Sequence, residues 1–181
     1  MAIKPLGQQG HQRLSWTWSD QNRINFDQNP RLVLLDLVRR QAGPPQASNN
    51  NWTIMYDFDQ YLYTEEGTKD QGFGLFGMFG VSPGVVNPIE QFYSTGLGGK
   101  GAIPGRDDDT YGLGYYFLAL TEELGGPARR LVGDEQGVEL YYNIAITPWL
   151  HLTPDLQIID PGRHRFSDTA VVAGLRMKID F

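Results

Sequence analysis

Asp57 and Asp59 are the residues whose type and spacing come nearest to catalytic chemistry. They stand two positions apart in an alternating stretch, so their carboxylates fall on the same face of a strand. Glycosidases use such a pair as acid and base, but one carboxyl must then lie in an apolar pocket that keeps it protonated. The surrounding sequence offers no such pocket, so the pair does not predict glycoside hydrolysis.

The other reactive side chains are too isolated to form a catalytic or metal site. His11, His151 and His164 are widely scattered and there is no cysteine, so neither a histidine cluster nor a thiolate site is expected. No serine lies in a nucleophile-elbow motif. The GFGLFG string at residues 72–77 fits GxGxxG, but no helix is predicted after it to hold a phosphate. We therefore expect no enzymatic activity, no metal and no cofactor.

Charge and composition argue against a nucleic-acid partner. The net charge is -6 with a pI near 5.0, and the chain has no basic stripe of the kind that phosphate binding needs. Arg106, followed by aspartates at 107–109, is interpreted as a turn with ion pairs rather than as a cation site. Aromatic residues make up 12% of an otherwise polar chain, which suits strands with one apolar face.

A two-residue hydrophobic period positions these side chains, and it is clearest between Asp134 and Phe181. In this stretch apolar residues occupy every second position three times in succession, as in strands with one apolar and one polar face. The same period recurs upstream. It predicts an all-β, antiparallel fold of about eight strands, at residues 11–19, 51–63, 72–81, 91–100, 110–120, 138–147, 150–158 and 169–181.

The connections between these strands differ in length. Residues 20–50 are interpreted as a long loop that holds a short helix near residues 32–38, and residues 121–136 as a long loop with a helical turn. If the strands run up and down, these two loops and the loop at 159–168 share one end of the sheet. The short turn at 147–149 lies at the other end, an asymmetry that is typical of outer-membrane barrels.

The hairpin around residues 147–149 allows its register to be predicted. Both flanking strands carry apolar residues at even positions, so opposed residues must have numbers with an even sum, and a three-residue loop satisfies this. Pro154 should interrupt the ladder because it lacks a backbone N–H. The expected pairs on the polar face are Asn143 with Thr153, Tyr141 with Asp155 and Glu139 with Gln157.

The apolar runs are too short for a membrane helix, which needs about 18 consecutive apolar residues. A membrane location would therefore require a closed barrel, because only a closed sheet satisfies every backbone polar group in lipid. Residues 1–10 lack the basic and apolar segments of a secretory signal. For an exported barrel, we expect the signal to have been lost together with an N-terminal half.

Four strings resemble the C-terminal part of the OprB-type carbohydrate-selective porins. They occur in the family's order and cover residues 50–181 well, whereas residues 1–49 match less clearly. The resemblance implies a single partial domain over residues 1–181, the C-terminal half of a sixteen-stranded transmembrane barrel in the bacterial outer membrane that conducts sugars passively. The strings are GLFGMFG (74–80), YSTGLGGKGAIPGRDDDTYGLGYY (93–116), GDEQGVELYYNIAITPWLHLTPDLQIIDPGR (133–163) and LRMKIDF (175–181).

The same resemblance implies a role for the polar face as the wall of a pore. There, the hydroxyls of mono- or oligosaccharides would meet polar side chains, and their C–H faces would meet aromatic rings. Met78 departs from the family, whose string has a basic residue at this position. The candidates for lining the pore or contacting a sugar are Asp57, Asp59, Tyr61, Tyr116, Glu139, Tyr141, Asn143, His151, Asp155, Gln157, Arg176 and Lys178.

The implied partners are outer-membrane lipid, the barrel-assembly machinery and the missing barrel half, supplied upstream or by another chain. Phe181 fits the terminal aromatic residue by which such barrels are recognised for assembly. Two alternatives stay open. The polar residues could form ion pairs that hydrate a lumen without contacting sugars, or the chain could be a small, non-conducting eight-stranded barrel with a structural or adhesive role and a filled interior.

Overall fold

The structure, a computed structural model, describes residues 2–3, 7–26, 28, 46–68, 70–124, 129, 131–163 and 167–180. Eleven strands form the regular structure of these residues, and they include all eight that were predicted. In chain order they are β1 (Ala2–Ile3), β2 (Gly10–Ser19), β3 (Arg23–Ile24), β4 (Ala47–Ser48), β5 (Asn51–Thr64), β6 (Gly72–Val81), β7 (Ile89–Lys100), β8 (Thr110–Leu120), β9 (Glu135–Thr147), β10 (Leu150–Asp160) and β11 (Ala170–Ile179).

Nine of these strands form one antiparallel sheet in the order β1-β2-β5-β6-β7-β8-β9-β10-β11. From β5 onward each strand pairs with the next one along the chain, as in a meander of hairpins. β3 and β4 form a separate two-stranded pair inside the connection between β2 and β5. The helix predicted near residues 32–38 lies outside the described residues, as do residues 125–128 and 130 of the segment 121–136, where a helical turn was predicted.

The up-and-down course gives the sheet two unlike ends. The turn end carries the connections 65–71, 101–109 and 148–149, and the loop end carries 20–50, 82–88, 121–134 and 161–169. The three connections predicted to be long therefore share the loop end, which confirms their expected placement.

The β9–β10 hairpin has the predicted register. Tyr141 pairs with Asp155 and Glu139 pairs with Gln157. The loop itself is shorter than predicted: Thr147 pairs with Leu150, which leaves two residues in the turn, and an irregularity at the next step restores the expected alignment. The polar and apolar faces are thus assigned correctly although the predicted loop length is wrong.

Pro154 lies where the β9–β10 ladder is interrupted. The pairing with β9 skips from Leu152 to Asp155, whereas Pro154 remains aligned with Leu175 of β11. This agrees with the prediction, because proline has no N–H to donate to a neighbouring strand.

One face of the sheet is apolar and exposed. Leu14, Trp16, Leu175 and Met177 are each 65% exposed or more, and among the described residues Val86 is the only buried hydrophobic side chain. A water-soluble domain of this size would cover such a face with a second layer of structure. Among the described residues, no helix is long and apolar enough to cross a membrane.

Aromatic rings on this apolar face form two groups. Nearer the loop end, a row crosses four strands, with ring centroids 6.4 Å apart for Tyr56–Phe79, 5.9 Å for Phe79–Tyr93 and 6.4 Å for Tyr93–Phe117. Nearer the turn end, the rings of Tyr63 and Phe73 stack at 5.9 Å. Six residues separate the two groups along β6, roughly 20 Å of strand.

The sheet is open. In the part of the chain that the structure describes, β11 is paired with β10, β2 is paired with β1 and β5, and β2 and β11 are not paired with each other. The small closed barrel of eight strands would require that last pairing, so the structure does not adopt it.

Candidate functional site

The ladders place all twelve predicted site residues on one face of the sheet, opposite the exposed apolar side chains. Residues that face each other across each pair of strands share a face, and the register carries this face from β5 to β11 despite irregularities in three of the ladders. We call it the polar face. The two-residue period was therefore sufficient to predict which residues share it.

Asp57 and Asp59 are each paired with a basic residue of β2. Arg13 holds Asp57 with both nitrogens of its fork, through Nε at 3.0 and 3.1 Å and Nη2 at 2.8 Å. His11 Nδ1 lies 2.9 Å from Asp59 Oδ2. Asp57 is therefore the ion-pair partner of Arg13, and Asp59 is held by the imidazole of His11.

The candidates on β9, β10 and β11 take part in three groups of polar contacts. The Asn143 amide donates to Thr153 Oγ1 at 2.7 Å and its oxygen lies 3.1 Å from His151 Nδ1. Arg176 Nη2 lies 3.7 Å from Glu139 Oε1. A further weak hydrogen bond runs from Gln157 to Glu139 at 3.5 Å, and Lys178 Nζ pairs with Asp180 at 2.9 Å.

Asp155 is the polar-face carboxylate with an unsatisfied oxygen. Its side chain packs against Gly174 of β11, where a Cβ would collide with Oδ1. That oxygen is buried and has no hydrogen-bond partner among the described residues. Its close packing makes Asp155 a part of the wall rather than a group that projects from it.

The aromatic side chains of the polar face lie over glycines of neighbouring strands. A Cβ on Gly112 would come within 2.5 Å of the Tyr141 ring, and one on Gly137 within 2.6 Å of the Tyr116 ring. The Tyr116 hydroxyl also donates to Glu135 Oε1 at 2.9 Å. Glycine leaves room for the rings at these positions, because a larger side chain would have to displace them.

Two neighbouring clefts open onto the polar face and share Thr110 and Tyr141. The first, about 390 Å³, has walls that include Asp59, Tyr61, Phe76, Lys100, Thr110 and Tyr141. The second, about 510 Å³, is lined by Thr110, Glu139, Tyr141, Asn143, Thr153, Arg176, Met177 and Lys178. Of the predicted residues, seven line a cleft, whereas Asp57, Tyr116, His151, Asp155 and Gln157 line neither.

Phe76, Lys100 and Thr110 are cleft residues that the sequence prediction omitted. Phe76 stands in the polar-face position of β6, but its ring is apolar and the pattern gave no reason to select it. Lys100 and Thr110 face each other at the ends of β7 and β8. The available signal was their parity, since each is in phase with the glycines at 96, 98, 112 and 114 on the polar face.

The turn at 101–109 is organised by a buried carboxylate. Asp109, 1% exposed, accepts bonds from Arg106 Nε and Nη2 at 2.8 Å, from the Tyr142 hydroxyl at 2.8 Å and from the Ala145 N–H at 2.9 Å. Burial opposes ionisation of Asp109, but these hydrogen bonds outweigh it and hold its pKa below the usual value. The hydrogen bond between Arg106 and Asp109 also raises the pKa of Arg106. The predicted turn with an ion pair is thus confirmed.

No group of three or more potential metal ligands occurs among the residues whose placement is described. Met78 stands where the family's version of the GLFGMFG string has a basic residue, and it lies opposite Asp57 on the polar face. The positive charge beside Asp57 comes instead from Arg13 on the other flanking strand. Phe181, the predicted assembly signal, and His164 lie outside the described residues.

Sequence comparison relates the chain to porins. Residues 4–181 match the family described as carbohydrate-selective porin, OprB family. The chain is 26% identical over 155 residues to Porin B of Pseudomonas aeruginosa, an alignment that covers 75% of this chain and 34% of that protein. It is 27% identical over 106 residues to Porin AaxA of Chlamydia pneumoniae, covering 58% and 24%.

Structural comparison gives the same fold. The high pH structure of Pseudomonas putida OprB superposes with a TM-score of 0.85 at 23% identity, over 99% of this chain and 46% of that one. The low pH structure gives a TM-score of 0.65, again over 99% of this chain and over 44% of that one. The chain thus spans less than half the length of these relatives, and its similarity extends through the first 49 residues. By sequence and by fold, the chain belongs to the OprB family of carbohydrate-selective porins.

Proposed function

We propose that these 181 residues are part of an outer-membrane channel through which carbohydrates diffuse passively, without catalysis. The observation that carries the proposal is the division of the sheet into an exposed apolar face and a polar face with two clefts. The apolar face suits contact with lipid, and charged and hydroxyl-bearing side chains suit a water-filled lumen. Membership of a porin family supports a channel rather than an enzyme.

The two ends of the sheet support an orientation in the membrane. In outer-membrane barrels the longer loops are extracellular and the short turns periplasmic. The loop end of this sheet would therefore face outward, and the two aromatic groups would lie near the two lipid–water interfaces. β11 ends at the turn end, which this orientation would place on the periplasmic side, and recognition of Phe181 by the assembly machinery is part of the same proposal.

The proposal includes a wider barrel than this chain can form alone. The open edges of the sheet support it, because unpaired N–H and C=O groups cannot remain exposed in lipid. This chain covers 46% of the superposed OprB chain, which is compatible with the C-terminal half of a sixteen-stranded barrel. The remaining strands would come from upstream sequence or from another chain.

The twelve predicted residues would line the lumen, and their roles would differ with their positions. Those in the clefts, such as Tyr61, Tyr141 and Arg176, would meet the solute. Asp57, held by Arg13, would set the local charge of the wall. Weak contacts of this kind allow a sugar to enter and leave, which passive diffusion requires.

Reconstitution of the intact channel that contains this sheet tests the proposal. Proteoliposomes carrying it should swell in isotonic glucose, and planar bilayers should show stepwise conductance that glucose reduces. Protein-free liposomes and a barrel denatured before reconstitution serve as controls. A folded, inserted protein without conductance or sugar flux would contradict the proposal and favour a structural or adhesive role.

The isolated 181 residues provide a second test. Because two sheet edges are left open, we expect this chain alone to aggregate and to give no regular channels in single-channel recordings. Regular, sugar-sensitive conductance from the purified chain would contradict the need for additional strands.

A further inference from the structure

The middle of the polar face is a strip of glycines on three neighbouring strands, which we call the floor. Across β6, β7 and β8 the register aligns Gly74 with Gly98 and Gly98 with Gly112, and in the next row Gly96 with Gly114. At these positions the wall has no side chains. The floor is therefore recessed relative to the charged strands on either side.

Two aromatic rings lie over this floor from opposite sides. Phe76 leans from β6 across β7, since a Cβ on Gly96 would collide with its Cζ and one on Gly114 would lie 3.6 Å from the same atom. Tyr141 leans from β9 over Gly112. Each ring thus lies close to a glycine of the floor and also lines the cleft. Phe76 is 37% exposed.

Charged and hydroxyl groups surround the rings. Lys100 Nζ lies 2.8 Å from Asp70 and 3.2 Å from Asp108 at the turn end of the cleft. Asp59 is on the β5 side, with its side chain 53% exposed, and Thr110 lies opposite Lys100. The cleft thus combines an apolar floor with hydrogen-bond donors and acceptors at its rim.

We propose that Phe76 and Tyr141 form a saccharide subsite that stacks against the C–H face of a pyranose ring. A pyranose with equatorial hydroxyls has two apolar faces and a polar circumference, which matches an aromatic floor with a polar rim. Lys100 would donate to its hydroxyls and Asp59 would accept from them. The proposal rests on the carbohydrate channel proposed above and specifies where in the wall the sugar is held.

The geometry selects these rings over Tyr116, the aromatic candidate on β8. Tyr116 lies over Gly137, nearer the loop end of the sheet than Gly112 and Gly114, and its hydroxyl is engaged by Glu135. Its ring does not line the first cleft. Tyr116 therefore acts as a filler of the wall, and its removal should leave sugar binding unchanged.

Sugar-induced current noise in planar bilayers, recorded on the intact channel, tests the subsite. For Phe76→Leu, which keeps apolar bulk but removes the ring face, the dissociation constant for glucose should rise about three- to tenfold, as expected for the loss of one aromatic contact. Phe76→Trp should restore binding. Phe79→Leu, three residues along the same strand but on the apolar face, is the matched control and should bind glucose as the wild type does.

Mannitol separates stacking from a change of pore width. It carries the same kind of hydroxyls but has no ring, so its flux should respond equally little to Phe76→Leu and Phe79→Leu. Unchanged glucose affinity in a conducting Phe76→Leu channel, or an equal effect on glucose and mannitol, would overturn the subsite while leaving the channel function intact. A wild-type channel without sugar flux would instead refute the proposed function, and the subsite with it.

Discussion

The protein uses the same chemical pair, an arginine fork on an aspartate, in two regions with opposite surroundings. In the turn at 101–109, Arg106 holds Asp109, which is 1% exposed and has two more donors. On the polar face, Arg13 holds Asp57, and these side chains are 75% and 22% exposed, compared with 39% and 2% for Arg106 and Asp109. Water screens the second pair more than the first, so the pair with the buried carboxylate should fix structure and the more exposed pair should set charge.

The largest expected effect is the loss of the buried carboxylate. Asp109→Asn keeps the shape but removes the charge that satisfies Arg106, Tyr142 and the Ala145 N–H. We expect a loss of about 2–3 kcal/mol in the free energy of unfolding, the cost of charge-assisted hydrogen bonds at a buried group. Urea unfolding of the detergent-folded channel, followed by tryptophan fluorescence, measures it. Asp107→Asn, on the exposed part of the same turn, should be within error of the wild type.

The pH dependence of stability should also show the contribution of the Asp109 carboxylate, as a smaller effect. The folded pKa of Asp109 lies below its unfolded value, so its stabilisation is complete above the unfolded pKa and is lost as the pH falls through the folded one. The stability difference between wild type and Asp109→Asn should therefore shrink below about pH 4. Unfolding midpoints measured from pH 3 to pH 7 for both proteins would show it, and a constant difference would contradict it.

Two glycines that face each other on the floor of the cleft should differ in their tolerance of a methyl group. Gly112→Ala places a Cβ 2.5 Å from the Tyr141 ring, whereas the nearest atom to a Cβ on Gly98 is 3.5 Å away. We expect Gly112→Ala to cost about 1 kcal/mol by displacing the ring and Gly98→Ala to be neutral. The same unfolding assay compares them, and equal stability would mean that the ring moves freely.

The smallest effect on stability is expected at the exposed pair. Asp57→Asn should leave the unfolding midpoint unchanged and release the charge of Arg13 into the lumen. The reversal potential in a KCl gradient should shift toward anion selectivity. Asp20→Asn, in the exposed connection after β2, is the control and should not shift it. If Asp57→Asn destabilises the channel as much as Asp109→Asn does, burial is not what distinguishes the two pairs.

Most of the fold could be predicted because strands with one apolar and one polar face show a simple two-residue alternation in sequence. The alternation in β9, β10 and β11 sufficed to predict the elements, the shared face and the pairing of Tyr141 with Asp155. The turn was harder: whether 147–149 would form a two- or a three-residue loop depends on a local irregularity that periodicity does not encode.

The cleft was predictable only in part. Residues such as Asp59 and Arg176 were selected because they are polar and in phase. Phe76 was missed because its importance depends on Gly96 and Gly114, which belong to other strands and offer the space that its ring occupies. A search for glycines facing aromatic residues across a predicted register would have found it.

The amino-acid sequence by itself determined which side chains share a face, since that follows from the two-residue period of an extended backbone. Only the tertiary structure decided which of them meet. Arg13 and Asp57 lie 44 residues apart in sequence, and the strand register brings them to 2.8 Å. The strand register likewise buries Asp109 beneath Tyr142 and Ala145. Long-range strand pairing, rather than the local sequence pattern, thus determines which groups are shielded from water.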